Sequence, residues 1–258
     1  MCIRDSFYGD DDPQERLKRL SAYLQGFERR PVDSEIPLHT GSPGSDRVRL
    51  GYEVDEGNEV PKAYITVNWR LPEVTDVDLS LGLSILSHVL VSMPASPLRK
   101  ALIDSGLGEG LAGRGTDTGL RQMYFSTGLK GVHPERLGEV ELLIDKTLEN
   151  LVTQGIDEDT IAASMNTIEF RLRENNTGSF PRGLLMMFRS LNTWLYGGDP
   201  IAPLAFETPL NRIKARLGRT EKYFENLIRE HLVDNPHRAV VILEPDPGLR
   251  QRREAQEE

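Results

Sequence analysis

The sequence predicts an α+β fold, a two-layer sandwich with helices packed on one face of a largely antiparallel sheet. Two patterns carry the prediction. Residues 63–71 set Tyr64, Thr66, Asn68 and Arg70 against Ile65, Val67, Trp69 and Leu71, the period-2 alternation of a half-buried strand. Between this run and a last apolar run at residues 237–243 lie segments whose leucines recur at helical spacing. The order is two strands, two helices, one or two strands, a run of helices and a final strand.

Each element has its own signal. Asp10-Asp11-Asp12-Pro13 precedes Leu17, Leu20, Tyr23, Leu24 and Phe27 at helical spacing, giving a helix over residues 12–29. Its single apolar stripe needs a partner surface, and without one the chain is expected to self-associate. Residues 30–46 hold Pro and Gly with little periodicity and read as a linker. Strands follow at residues 48–54 and 63–71, joined by the polar residues 55–59. Asp76 caps a helix whose Leu79, Leu83, Leu86 and Leu90 share one face. Ser96-Pro97 starts the next, with Pro in its permitted first-turn position, and Ser105-Gly106 ends it. The glycine-rich residues 106–119 read as a turn into a strand at 123–132. Helical patterns cover residues 134–154, 157–174, 181–195, 200–217 and 220–233, and Pro245 stops the last strand. Residues 1–6 resemble a cloning or assembly scar, and the abrupt start after them is that expected of a piece of a longer protein.

Composition excludes several function classes. Of 258 residues, 38% are hydrophobic and 28% charged, enough for a sizeable core without disulfides. A net charge of -9 argues against nucleic acid, which needs a basic face, and suits cationic peptides. Cys2 is the one cysteine, so no intramolecular disulfide or cysteine metal site can form. No apolar run approaches the roughly 18–20 residues of a membrane span, so no membrane partner is expected.

No catalytic constellation emerges. The histidines are His39, His88, His133, His231 and His237, and no two stand three to five residues apart, so there is no helical zinc-ligand pair. His88, alone on a leucine-rich helix, reads as a packing residue. His231 and His237 flank a turn at Asn235-Pro236, where a capping role is expected. There is no G-x-S-x-G elbow, and the glycines at 106–113 follow a helix rather than a strand, against a phosphate cradle. Glu139, Glu141, Asp145 and Glu149 fit a solvated helix face. Met186, Met187 and Phe188, at helical spacing with Leu184, Leu191 and Leu195, fit core packing better than an adaptable peptide surface.

Longer strings go further. Tyr64-Ile65-Thr66-Val67-Asn68-Trp69 and Asn192-Thr193-Trp194-Leu195-Tyr196-Gly197-Gly198-Asp199-Pro200 resemble the second domain of presequence proteases, in the pitrilysin/insulinase group of zinc metallopeptidases. Residues 94–108, 166–183 and 234–238 carry the same resemblance, which extends over residues 7–247. It implies four homologous α/β domains, paired into halves that close around a chamber, with His-x-x-Glu-His in the first domain. The last domain of such proteases supplies an Arg and a Tyr from Arg-x-x-Gly-Gly-x-Tyr. Here residues 99–108 keep Arg99 but offer Leu107 and Gly108 where the Tyr would stand.

The resemblance thus implies a non-catalytic chamber-wall domain at residues 47–247, with no catalytic or metal residue of its own and zinc in the parent enzyme. Residues 7–30 would end the preceding catalytic domain, 31–46 would be the linker, and 248–258 would begin the hinge between halves. Its partners would be the zinc-bearing N-terminal domain, the C-terminal half and unstructured peptides such as targeting presequences. Arg99, Asn175, Asn176 and Arg182 are the candidate chamber-facing residues. The implied compartment is a bacterial cytoplasm, or an organelle matrix in a eukaryote. The alternative is a stand-alone non-catalytic subunit that binds peptides or a separate zinc-bearing chain.

Overall fold

The computed structural model describes residues 7, 9–28, 30–31, 33, 35–41, 44–54, 62–219 and 222–257. The expected scar at 1–6 and the polar connection at 55–59 lie outside the described residues. Strand β2 (Ala63–Glu73) stands at the centre of a sheet ordered β1-β5-β2-β4-β3. Its companions are β1 (Gly44–Glu53), β3 (Gly110–Asp117), β4 (Gln122–Val132) and β5 (His237–Asp246). β2 runs antiparallel to both neighbours and β3 antiparallel to β4, while the β1–β5 pair is parallel. The fold is the expected α+β arrangement with a largely antiparallel sheet.

Alternation along β2 divides the sheet into two faces. Ile65 lies opposite Leu129 and Ile242, Val67 opposite Thr127 and Val240, and Trp69 opposite Phe125 and Arg238. All but Arg238 among these are buried, forming the floor of the core. The Trp69 and Phe125 rings meet at 5.8 Å. The Arg238 guanidinium sits 5.6 Å from the Trp69 ring and reaches Glu141 at 3.2 Å and Asp145 at 3.1 Å. Burial pushes the Asp145 carboxyl up, and the Arg238 charge opposes that shift. Glu141 and Asp145 therefore brace the helix to the sheet and are not merely a solvated face.

Helix α4 (Leu137–Gln154) lies directly on β2 and β4. Its Leu137, Val140, Ile144, Leu148 and Val152, spaced three and four apart, are buried. Helices α2 (Val77–Ser87) and α3 (Pro97–Asp104) reach β3, and α7 (Glu207–Leu217) and α8 (Tyr223–Ile228) pack on α2. The Asp76 side chain accepts from Leu79 N at 3.0 Å, as the sequence predicts for the cap of α2. α5 (Glu158–Glu174) is capped by Asp157, which accepts from Thr160 N at 2.9 Å. The buried Glu225 of α8 accepts from Ile156 N at 3.0 Å and so ties the α4–α5 connection to the core.

Several expectations change. The glycine-rich stretch is an edge strand, β3, not a turn; its small residues hide the period-2 signal. Residues 77–104 form a helical stretch long and apolar enough by composition to cross a membrane, contrary to the sequence reading, but half of it is buried in this domain. The core accounts for those leucines. α1 (Pro13–Leu24) buries none of its residues, leaving Leu17 and Tyr23 largely exposed. α6 (Arg182–Trp194) buries Gly183 and Thr193 alone, so Met186, Met187 and Phe188 do not enter the core as expected. Residues 200–217 reduce to a short turn at Ala202–Leu204 and α7, and the charged tail forms α9 (Leu249–Glu257). Part of the expected linker is built in: Arg121 Nη1 donates to Glu35 at 3.2 Å and to the Ile36 carbonyl, and the His39 amide donates to Gln122 at 2.7 Å.

Gly128 marks the closest packing in the sheet. A Cβ there would come within 1.9 Å of the Ile65 carbonyl oxygen, a backbone atom that cannot step aside. Gly128→Ala should cost about 3 kcal/mol or more in urea unfolding. Gly138→Ala, on α4 with open space around its Cβ, should instead add about 0.5–1 kcal/mol. Equal effects at the two sites would contradict this packing. Glu225→Ala, leaving the Ile156 amide without its acceptor, should cost about 1–3 kcal/mol by the same measurement, with Glu225→Gln closer to the parent.

Candidate functional site

The face of the sheet opposite the helices is left partly uncovered. The register that sends Ile65, Val67 and Trp69 into the core sends Tyr64, Thr66, Asn68 and Arg70 outward. Beside them on β4 stand Tyr124, Ser126 and Lys130, and on β5 and β1 stand Val241, Leu243, Val48 and Leu50. The helices leave this face open: Val48 is 40% exposed, Leu50 55% and Tyr64 37%. Tyr52 and Tyr64 pack edge to face at 5.4 Å, and the Tyr52 hydroxyl donates to the Lys62 carbonyl at 2.6 Å.

At one end of this face lies a depression of about 230 Å³ lined by His39, Asn68, Arg70, Tyr124 and His237. His39 and Gly41, from the segment before β1, stand in its lining. Arg70 Nη1 donates to the His39 carbonyl at 2.5 Å and also approaches the His39 ring. The Asn68 amide reaches the carbonyls of Thr66 at 3.2 Å and Ala239 at 3.3 Å. Tyr124 donates to Asp117 at 3.2 Å, and burial, reinforced by the Asp117 charge, pushes its hydroxyl pKa up. Aromatic rings, amides and a guanidinium on a pleated surface can hold an extended chain by stacking and hydrogen bonding.

Catalytic groups are another matter. Among the described residues no group of three or more His, Cys, Asp and Glu could hold a metal ion. His88 and His231 are buried, with pKa values lowered by that burial; Arg171 adds to the effect at His88 and Glu230 opposes it at His231. The turn before β5 is capped by Asn235 rather than by a histidine side chain. Its amide nitrogen donates to the carbonyls of Arg70 at 2.8 Å and His231 at 2.9 Å, and its oxygen accepts from His237 N at 2.9 Å.

The four candidate chamber residues lie elsewhere. Arg99 is part-exposed on α3. Asn175 ends α5 in the left-handed conformation, φ 45° and ψ 37°, and Asn176 accepts from Gly178 N at 3.0 Å. Arg182 is the exposed first residue of α6. Asn175, Asn176 and Arg182 belong to the α5–α6 connection and the start of α6, whereas Arg99 belongs to a different helix; none of the four is on a strand of the uncovered face. Sequence reasoning passed over Arg189, whose Nη1 donates to the Asn175 side-chain oxygen at 2.8 Å. Its signal was a lone cation within the apolar run of residues 184–191.

Comparisons place this geometry. Presequence protease 1, chloroplastic/mitochondrial, of Arabidopsis thaliana is 43% identical over 97% of this chain, which spans 24% of that relative. Protein HypA of Clostridium perfringens is 34% identical over 96% of the chain and 26% of its own length. The chain therefore spans about a quarter of the length of these relatives. The crystal structure of the ferredoxin protease FusC with Arabidopsis ferredoxin superposes with a TM-score of 0.65 at 16% identity, over 92% of this chain and 24% of that one, a likeness of fold. Residues 6–168 match the family described as the peptidase M16 inactive domain, and the chain belongs to that family.

Proposed function

We propose that the chain is a non-catalytic wall of a peptide-degrading chamber in a longer zinc metallopeptidase. The observation that supports it best is the uncovered sheet face, which offers rings, amides and Arg70 to a ligand, with no metal-ligand cluster among the described residues. The match to presequence proteases over a quarter of their length supports the same reading. This chain's own residues do not fit a zinc site, since its histidines are dispersed and two of them are buried among apolar side chains. Zinc, which in such an enzyme activates a water for peptide hydrolysis, would be held by the zinc-bearing domain on the N-terminal side. Residues 7–30 would close that domain, and residues 248–258 would lead toward the C-terminal half. Substrates would be unstructured peptides, presequences among them. The compartment would be a bacterial cytoplasm or an organelle matrix; one relative carries a chloroplastic/mitochondrial name.

Why keep such a fold without chemistry? A wall excludes folded proteins and supplies binding energy away from the reacting bond, so its effects belong in KM more than in kcat.

The full-length parent should cleave unstructured peptides and lose that activity on chelation, while the 258-residue chain alone should hold no stoichiometric zinc and cleave nothing. One tightly held zinc per isolated chain would overturn the proposal. In the parent, Asn68→Trp on the uncovered face should raise KM several-fold while kcat stays within about twofold. An unchanged KM would remove this face from the chamber. The reading frame upstream of residue 7 should carry His-x-x-Glu-His.

A further inference from the structure

Arg189 lines a cleft of about 160 Å³ between α2, α5, α6 and the segment before α7. The cleft is largely apolar, with Val77, Leu81, Leu172 and Phe206 in its walls. Arg189, Asn192 and Thr193 enter it from one face of α6, being three and four residues apart. The guanidinium is part-buried, and its described hydrogen bond is the one to Asn175. Among the described residues no carboxylate stands within ion-pair distance of it. Arg173 and Arg212, on the neighbouring α5 and α7, are ion-paired with Glu169 and Asp78.

That difference is the clue. Withdrawing a guanidinium from water is costly unless a partner compensates it, and an arginine does not give up its charge to escape the cost. Burial here does lower the Arg189 pKa, as expected for an unbalanced cation. Asn175 satisfies one donor and orients the planar group. The remaining donors form a fork suited to a carboxylate. This local cation belongs to a chain of net charge -9, so it cannot be a general attraction for anions.

The shape of the cleft selects among carboxylates. Arg189 shares the cleft with apolar walls, and about 160 Å³ compares with the about 150 Å³ cavity that accepts a benzene ring. A peptide's last residue carries a carboxylate and a side chain on the same carbon, so both can be satisfied at once. An internal Asp or Glu bears its carboxylate at the tip of its side chain, with nothing apolar to fill the walls and backbone leading away on both sides. We propose that the cleft takes the C-terminal residue of a peptide, its carboxylate on Arg189 and an aliphatic or aromatic side chain among Val77, Leu81, Leu172 and Phe206. The inference rests on the peptide-degrading reading above and adds to it an anchor for substrate ends.

The test compares N-acetyl-Ala-Ala-Leu with its C-terminal amide, titrated by calorimetry into the 258-residue chain and into the full-length parent. The acid should bind about tenfold or more tightly than the amide, the value of one buried charge-assisted contact. Arg189→Met, similar in length and uncharged, should abolish that preference, while Arg189→Lys should keep part of it; thermal melts confirm that both variants fold. Equal affinities for acid and amide, or a preference that survives Arg189→Met, would overturn the inference. So would binding to the chain but not to the parent, because the cleft would then be filled by a neighbouring domain. A parent that cleaves peptides but shows no acid preference would refute the anchor and leave the proposed function standing. A chain with the preference in a parent that cleaves nothing would do the reverse.

Discussion

Everything in this domain is arranged around β2, which is paired on both sides and alternates strictly between two environments. Its odd-numbered residues, Ile65, Val67 and Trp69, pair with inward-facing residues of β4 and β5 and form the floor on which α4 rests. Its even-numbered residues face away from the helices. A one-residue slip would exchange the two sets, burying Asn68 and Arg70 and exposing Trp69. Close packing enforces the register, since Gly128 lies where no side chain could pass the Ile65 carbonyl. The same alternation that stabilises the core therefore creates the open face.

The helical layer shows a second kind of division. α4 buries a full apolar stripe and α2 contributes Leu83, Ile85 and Leu86, so the helices nearest the sheet are conventional core elements. α6 is different. Its apolar residues are shared between partial burial and solvent, with Phe188 46% exposed and stacked on Phe180 at 6.3 Å. α1 buries nothing at all. Both helices carry apolar surface that this chain does not cover, which fits a domain that works inside a larger assembly. The cleft at Arg189 lies on the inner side of α6, where packing is incomplete enough to leave room for a ligand.

How much of this was legible depended on how local each signal was. β2 could be read because alternation is written into consecutive residues, and the cap at Asp76 because a cap involves neighbours three residues apart. β3 could not be read, since Gly110, Gly113 and Gly115 carry no alternating side chains to report which way they face. Phe188 and the methionines were misplaced because an apolar stripe states that a helix wants a partner, not whether one is present. Of the candidate site residues, Asn175 gained a defined contact through Arg189. Arg99 stayed apart from the other three candidates, because nothing in sequence says which face of the fold α3 will occupy.

The sequence by itself determined the α+β class, the central strand, the caps, and the absence of a helical zinc-ligand pair. It also carried, in strings spread from residue 64 to residue 238, the resemblance that the family match upholds. Tertiary structure alone decided which face of the sheet stays open, that Glu141 and Asp145 brace Arg238, and that Arg189 has no carboxylate partner among the described residues in a cleft built from separate helices. Such features depend on contacts between residues tens of positions apart, and the free energy of those contacts exists only once the chain has folded.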